Sequence, residues 1–75
     1  ATWLDVRFES EYSYHHIEGA INAPLHELRS YISQLDNAAE YIVYCQTGRR
    51  SSAAAFILAQ FGFKALVLEG GTRSS

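Results

Sequence analysis

The chain has 75 residues, which predicts one domain with a core of marginal size. Hydrophobic residues make up 48% and charged residues 19%, a globular composition rather than a disordered one. The formal net charge is -2 with a pI near 5.8, which argues against a nucleic-acid partner or an acidic membrane surface and leaves any anion affinity to local clusters.

A single cysteine excludes an internal disulfide framework and fits a reducing, cytoplasmic compartment. No segment reads as a transmembrane helix or a signal peptide. Both ends look cut. Trp3 enters a strand almost at once, and Ser75 stops just past a glycine turn, so the expectation for 1–75 is one domain that forms part of a longer domain or protein.

Trp3, Leu4, Asp5 and Val6 predict a short buried strand with Asp5 near its C-terminal end. The Asp5-Val6-Arg7 spacing suits a structural hydrogen-bonded pair, with a place for Arg7 at the rim of a pocket as the alternative. Phe8 to Tyr14 predicts a short helix with Ser10 as cap. Next comes H-H-I-E-G-A-I-N-A-P, His15 to Pro24. Adjacent histidine side chains point apart and have no Cys/His/Asp cluster nearby in sequence, so His16 reads as a hydrogen-bonding residue and not a metal ligand. Ala20 to Ala23 predicts a short strand. Leu25, Leu28, Ile32 and Leu35 recur at helical spacing, so Leu25 to Leu35 predicts one amphipathic helix with Pro24 at or before its first turn. Asp36 to Glu40 is a polar connector.

Tyr41 to Tyr44 is β-branched or aromatic throughout, as in a buried strand. Cys45 follows directly, then Gln46, Thr47, Gly48, Arg49 and Arg50. Ser51 and Ser52 are good N-cap residues for Ala53 to Gln60, an apolar run that predicts a helix buried on more than one side. Gly62 fits the end of that helix. Ala65 to Leu68 predicts a last buried strand, and Glu69, Gly70 and Gly71 a turn.

The lone thiol therefore lies between a strand end and a helix start. Unpaired N–H groups and a partial positive charge at a helix start favour a thiolate. Gly48 lets the backbone curl so that successive N–H groups can cradle an anion, and Arg49 and Arg50 add positive charge. The alternative is a small buried cysteine beside solvated arginines.

C-Q-T-G-R-R-S, from Cys45 to Ser51, resembles the active-site loop of single-domain rhodaneses, a sulfurtransferase family. L-D-V-R at Leu4 to Arg7 resembles the family's acid and arginine after a strand. His16, Ile17, Gly19, Ala20, Asn22 and Pro24 match its G-H-I-P-G-A-x-N-x-P signature, while His15 stands where glycine is usual and Glu18 where proline is usual. Four residues separate Cys45 from Arg50; the cysteine phosphatases that share this fold use five, and the shorter loop suits a sulfur atom rather than a phosphoryl group.

Short apolar strands alternating with helices predict an α/β fold, a small mostly parallel sheet with helices on both faces, and ligands at the carboxyl ends of its strands. The resemblance runs from Leu4 to Gly71 and implies a rhodanese-like domain truncated at both ends. It implies a sulfurtransferase with Cys45 as nucleophile, Gln46, Thr47, Gly48, Arg49 and Arg50 around the substrate, and Asp5, Arg7 and His16 in support. A small anionic donor such as thiosulfate or a persulfide and a thiol or cyanide acceptor are implied, with no metal or organic cofactor. A regulatory or redox-sensing module of a larger protein is the alternative.

Overall fold

The computed structural model describes residues 1–68; the expected Glu69–Gly71 turn and the residues Thr72 to Ser75 lie outside the described residues. Four strands form one sheet: β1 Thr2–Asp5, β2 Ile21–Asn22, β3 Glu40–Tyr44 and β4 Lys64–Val67. Their order is β2-β1-β3-β4, and every pairing is parallel. The expected parallel α/β sheet is therefore present. Three helices connect the strands: α1 Glu9–Tyr14, α2 Leu28–Tyr31 and α3 Arg49–Gln60.

Register explains the core. Leu4 lies opposite Val43, and Val43 opposite Val67. Leu4, Tyr41 and Val43 point to one face, where they pack with Leu28 of α2 and with Ala54 and Leu58 of α3. The opposite face carries Trp3, Ile42 and Leu66, and also Tyr44, which is fully buried. Trp3 meets the Tyr44 ring edge-on at 6.1 Å, and the Tyr44 hydroxyl accepts the Ile17 N–H at 3.1 Å. Burial pushes the Tyr44 phenol up to about 12.

Several elements differ from their sequence-based expectations. The Leu25–Leu35 stretch is not one helix: 3₁₀ turns at Leu25–Glu27 and Ile32–Gln34 flank the single α-turn of α2. The Ser30 hydroxyl bonds to the Glu27 carbonyl at 2.6 Å, a local bond that competes with regular helix. Phe8, not Ser10, is the N-cap of α1, and its N–H donates to the Glu11 carboxylate at 2.9 Å. Helix α3 starts at Arg49, before the serines expected to cap it. It buries one stripe, Ser51, Ala54 and Leu58, and leaves Phe56 66% exposed. At its far end Phe63 N–H bonds to Leu58 O and Gly62 N–H to Ala59 O, a Schellman closure just past the helix. Strand β4 is an edge strand, with Leu66 55% exposed, and not the buried strand its apolar run suggested. Among the described residues no helix is long and apolar enough to cross a membrane.

Candidate active site

Strand β3 delivers Cys45 to the carboxyl edge of the sheet, beside Val6 at the end of β1, whose N–H bonds to Tyr44 O at 3.1 Å. Gly48 then turns the chain with φ 94°, a conformation that L side chains rarely adopt, and is the N-cap of α3. Its carbonyl accepts the Ser52 N–H at 3.0 Å and the hydroxyls of Ser51 and Ser52 at 3.0 and 2.8 Å. The serines thus close the first turn from inside rather than cap it.

This turn wraps the sulfur. Gly48 N–H reaches Cys45 Sγ at 3.0 Å and Ser51 N–H at 3.3 Å, and the Ser51 hydroxyl lies 3.5 Å away. The Ser51 N–H is one of the donors at the helix start that has no partner within the helix. Burial pushes the Cys45 thiol up. The Ser51 hydroxyl and the backbone N–H groups of Ser51, Gly48 and Thr47 outweigh that effect and hold it below the value of a free thiol. Cys45 itself is 0% exposed, while Gln46, Thr47 and Arg49 are exposed around it.

The two arginines part company. Arg49 is exposed and makes no ion pair among the described residues. Arg50 turns to α1 and binds Glu11 with two contacts, Nη1–Oε1 at 2.7 Å and Nη2–Oε2 at 3.1 Å. Its guanidinium carbon sits 5.6 Å from the Phe8 ring centre. The hydrogen bond from Arg50 outweighs partial burial and holds the Glu11 carboxyl below its usual range. A cavity of about 150 Å³ opens beside this pair, lined by Val6, Phe8, Leu25, His26 and Arg50.

Asp5 and Arg7 pair with each other. The Asp5 carboxylate accepts the Arg7 backbone N–H at 2.9 Å and Arg7 Nη2 at 2.8 Å, both residues being buried. Arg7 Nη2 also donates to His15 O at 2.5 Å, and its guanidinium carbon lies 5.7 Å from the Tyr44 ring centre. The pair ties the carboxyl end of β1 to the segment after α1. His16 is exposed; its Nδ1 donates to Tyr12 O at 2.8 Å, and its ring stacks on Tyr12 at 3.8 Å. Neither Asp5, Arg7 nor His16 makes a hydrogen bond to Cys45.

The rhodanese-like domain model matches residues 1–74. The chain belongs to the rhodanese-like family. It is 37% identical over 73 residues to the thiosulfate sulfurtransferase PspE of Escherichia coli (strain K12), covering 95% of this chain and 70% of PspE. YrkF of Bacillus subtilis (strain 168) is 38% identical over 64 residues, covering 85% of this chain but only 35% of YrkF. Among solved structures, a rhodanese-related protein from Thermoplasma volcanium superposes with a TM-score of 0.91 at 40% identity, over 97% of this chain and 73% of that one.

Within this rhodanese-like fold the two departures from the signature are harmless. His15 has φ -166°, extended backbone that any residue adopts, so no glycine is needed there. Ile17 to Ala20 is a β-turn closed by Ala20 N–H to Ile17 O at 3.0 Å, with Gly19 third at φ 85°. That is a type II arrangement, which requires glycine in the third place and favours proline in the second without needing it. Glu18 fills the second place.

Two site residues escaped the sequence reading. Ser51 looked like a helix cap, and only the earlier start of α3 places its N–H and hydroxyl on the sulfur. Glu11 sits 39 positions from Arg50 and carried no local signal. Its place three residues after Phe8, where its carboxylate accepts the N-cap N–H, was the one available clue.

Proposed function

We propose that the chain is a sulfurtransferase that moves sulfane sulfur from a small anionic donor, such as thiosulfate or a persulfide, to a thiol or cyanide acceptor. The observation that carries this reading is the pair of backbone N–H groups, from Gly48 and Ser51, that converge on Cys45 Sγ at a helix start. They favour the thiolate, the form that attacks. The thiolate attacks the outer sulfur of thiosulfate; the donor's S–S bond breaks, sulfite leaves with the electron pair, and Cys45 holds a persulfide. The acceptor then attacks the terminal sulfur and restores the thiolate.

Gln46, Thr47, Gly48, Arg49 and Arg50 form the turn in which the terminal sulfur is to be cradled. Arg49 supplies the charge that attracts the donor, because the charge of Arg50 is engaged by Glu11. The Asp5–Arg7 pair fixes the carboxyl end of β1. The membership and the likeness to PspE support the same chemistry. Cys45 has no exposed surface, so a donor reaches it only after a local opening around the sulfur. Mass spectrometry after incubation with thiosulfate tests the reading: one sulfur atom added at Cys45 supports it, and an unmodified thiol defeats it.

The same burial favours a second reading, a binding or redox-sensing module of a larger protein. A thiosulfate–cyanide assay separates the two, since a module without transfer activity releases no thiocyanate.

A further inference from the structure

The Ser51 hydroxyl lies in a short chain of hydrogen bonds that runs away from the nucleophile. The Cys45 thiol donates to Ser51 Oγ at 3.5 Å, and Ser51 Oγ donates to the Gly48 carbonyl at 3.0 Å. Cys45 and Ser51 are both 0% exposed, so bulk water reaches neither group. Among the described residues, Ser51 is the one whose side chain is hydrogen-bonded to the sulfur. The Gly48 carbonyl is oversubscribed. It has two lone pairs but collects three donors: the Ser51 hydroxyl, the Ser52 N–H at 3.0 Å and the Ser52 hydroxyl at 2.8 Å. The two donors of Ser52 fill it, so Ser51 can leave without orphaning a buried acceptor. Rotation about Cβ–Oγ moves a single proton and brings it to Sγ. The N–H groups of Gly48 and Ser51, by contrast, are held on the sulfur by the backbone and cannot change partner.

We propose that the Ser51 hydroxyl is a catalytic donor that turns from the Gly48 carbonyl to Cys45 Sγ as the persulfide is discharged, and so accelerates the acceptor half of the reaction and not the donor half. The inference rests on the sulfurtransferase reading and assigns a residue to one of its steps. In the persulfide, Sγ is a neutral divalent sulfur and a weak acceptor, so the hydroxyl stays on Gly48. The acceptor, a thiolate or cyanide, attacks the terminal sulfur. The S–S bond breaks, and its electron pair stays on Sγ. The terminal sulfur departs bonded to the acceptor, as a new persulfide or as thiocyanate. The acceptor is oxidised, the cysteine sulfur is reduced to thiolate, and no proton is transferred. Charge on Sγ therefore grows toward the transition state. A hydroxyl that bonds only to the charged sulfur lowers this barrier selectively. In effect it makes Cys45 a better leaving group. Loading of the sulfur runs the other way. There the thiolate is the reactant, its charge is lost toward the transition state, and a donor to Sγ gives no acceleration.

Single-turnover kinetics on the two halves test this. The native chain and Ser51→Ala are each loaded with thiosulfate, freed of donor and mixed with cyanide. Quenched mass spectrometry follows the gain and then the loss of one sulfur atom at Cys45. Discharge is expected to slow by roughly tenfold in Ser51→Ala, the scale of one hydrogen bond to a developing charge. Loading, measured above the thiol midpoint, is expected to change by less than about twofold. Damage to the turn would instead slow both halves together. Threonine and valine differ in a hydroxyl against a methyl, so Ser51→Thr is expected to discharge roughly tenfold faster than Ser51→Val even where the added bulk disturbs packing. Equal slowing of both halves in Ser51→Ala, or equal discharge by the threonine and valine variants, overturns the inference. A native chain that loads and discharges sulfur at rates Ser51→Ala reproduces defeats this inference alone; a native chain that takes up no sulfur defeats the sulfurtransferase reading and this inference with it.

Discussion

A serine hydroxyl is not ionised at neutral pH and cannot hold a sulfane sulfur, so Cys45→Ser is expected to abolish persulfide formation while the far-UV CD spectrum stays native. Cys45 is the chain's one thiol, so retained transfer by the folded variant would sink the mechanism. Hydrogen bonds to the sulfur, led by the Ser51 hydroxyl, hold the thiol below its ordinary value against burial. Iodoacetamide reactivity, taken relative to its own plateau at high pH, is therefore expected to rise at lower pH than that of a free cysteine, near 8.5. Ser51→Ala should leave that midpoint below the free-cysteine value, because the Gly48 and Ser51 backbone N–H groups still donate to the sulfur. A native midpoint at or above the free-cysteine value would show that burial wins. Arg49 stands exposed in the turn. Arg49→Ala is expected to raise the thiosulfate KM by the equivalent of about 1.5–3 kcal/mol, the scale of a charge-assisted hydrogen bond, with the thermal midpoint nearly unchanged. An unaltered KM would leave Arg49 a solvated surface charge.

At the scale of elements, the turn between β3 and α3 decides which chemistry fits. Phosphoryl transfer spreads charge over three equatorial oxygens, each needing donors. With four residues between Cys45 and Arg50, the turn has one N–H fewer than the five-residue phosphatase loop, and the Arg50 guanidinium faces Glu11. No Cys45-dependent hydrolysis of p-nitrophenyl phosphate is expected. Inserting one residue between Gly48 and Arg49 should depress sulfur transfer, because the Ser51 N–H then no longer falls on Sγ. Parallel assays on thiosulfate and p-nitrophenyl phosphate check both statements, and robust phosphate release by the native chain would show that loop length is the wrong discriminator.

For the molecule as a whole, the Glu11–Arg50 pair joins α1 to the start of α3 across 39 positions of sequence. The folded Glu11 carboxyl lies below its usual value, chiefly through the Arg50 hydrogen bond. The sign follows from linkage: the pair stabilises the fold fully above the unfolded carboxyl's pKa, and that stabilisation is lost as pH falls through the depressed folded value. The pair is largely shielded but not sealed, so its worth is on the order of 1 kcal/mol. For a domain of this size that corresponds to a midpoint shift of about 4–8 °C. Glu11→Gln is expected to melt lower than the native chain at pH 7, with the gap closing at strongly acidic pH. A gap that persists there would assign the loss to packing, not charge.

Much of this could be read from the chain itself, because strands, turns and their order follow from local chemistry. The run Tyr41 to Tyr44 forms a strand whose end carries Cys45, Gly48 occupies the one backbone conformation in the turn that calls for glycine, and alternating apolar segments produce the parallel sheet. What the sequence could not express is how much each element is covered and which distant side chains meet. Strand β4 has a buried strand's composition, but lies at the sheet edge because the order is β2-β1-β3-β4. Helix α3 begins early because the Gly48 carbonyl collects three bonds, a competition between alternative caps that residue type alone does not resolve. Arg50 reads in sequence as an anion binder next to Arg49. Only the folded arrangement of α1 beside the carboxyl edge supplies Glu11, and a carboxylate at 2.7 Å decides what an arginine is free to do.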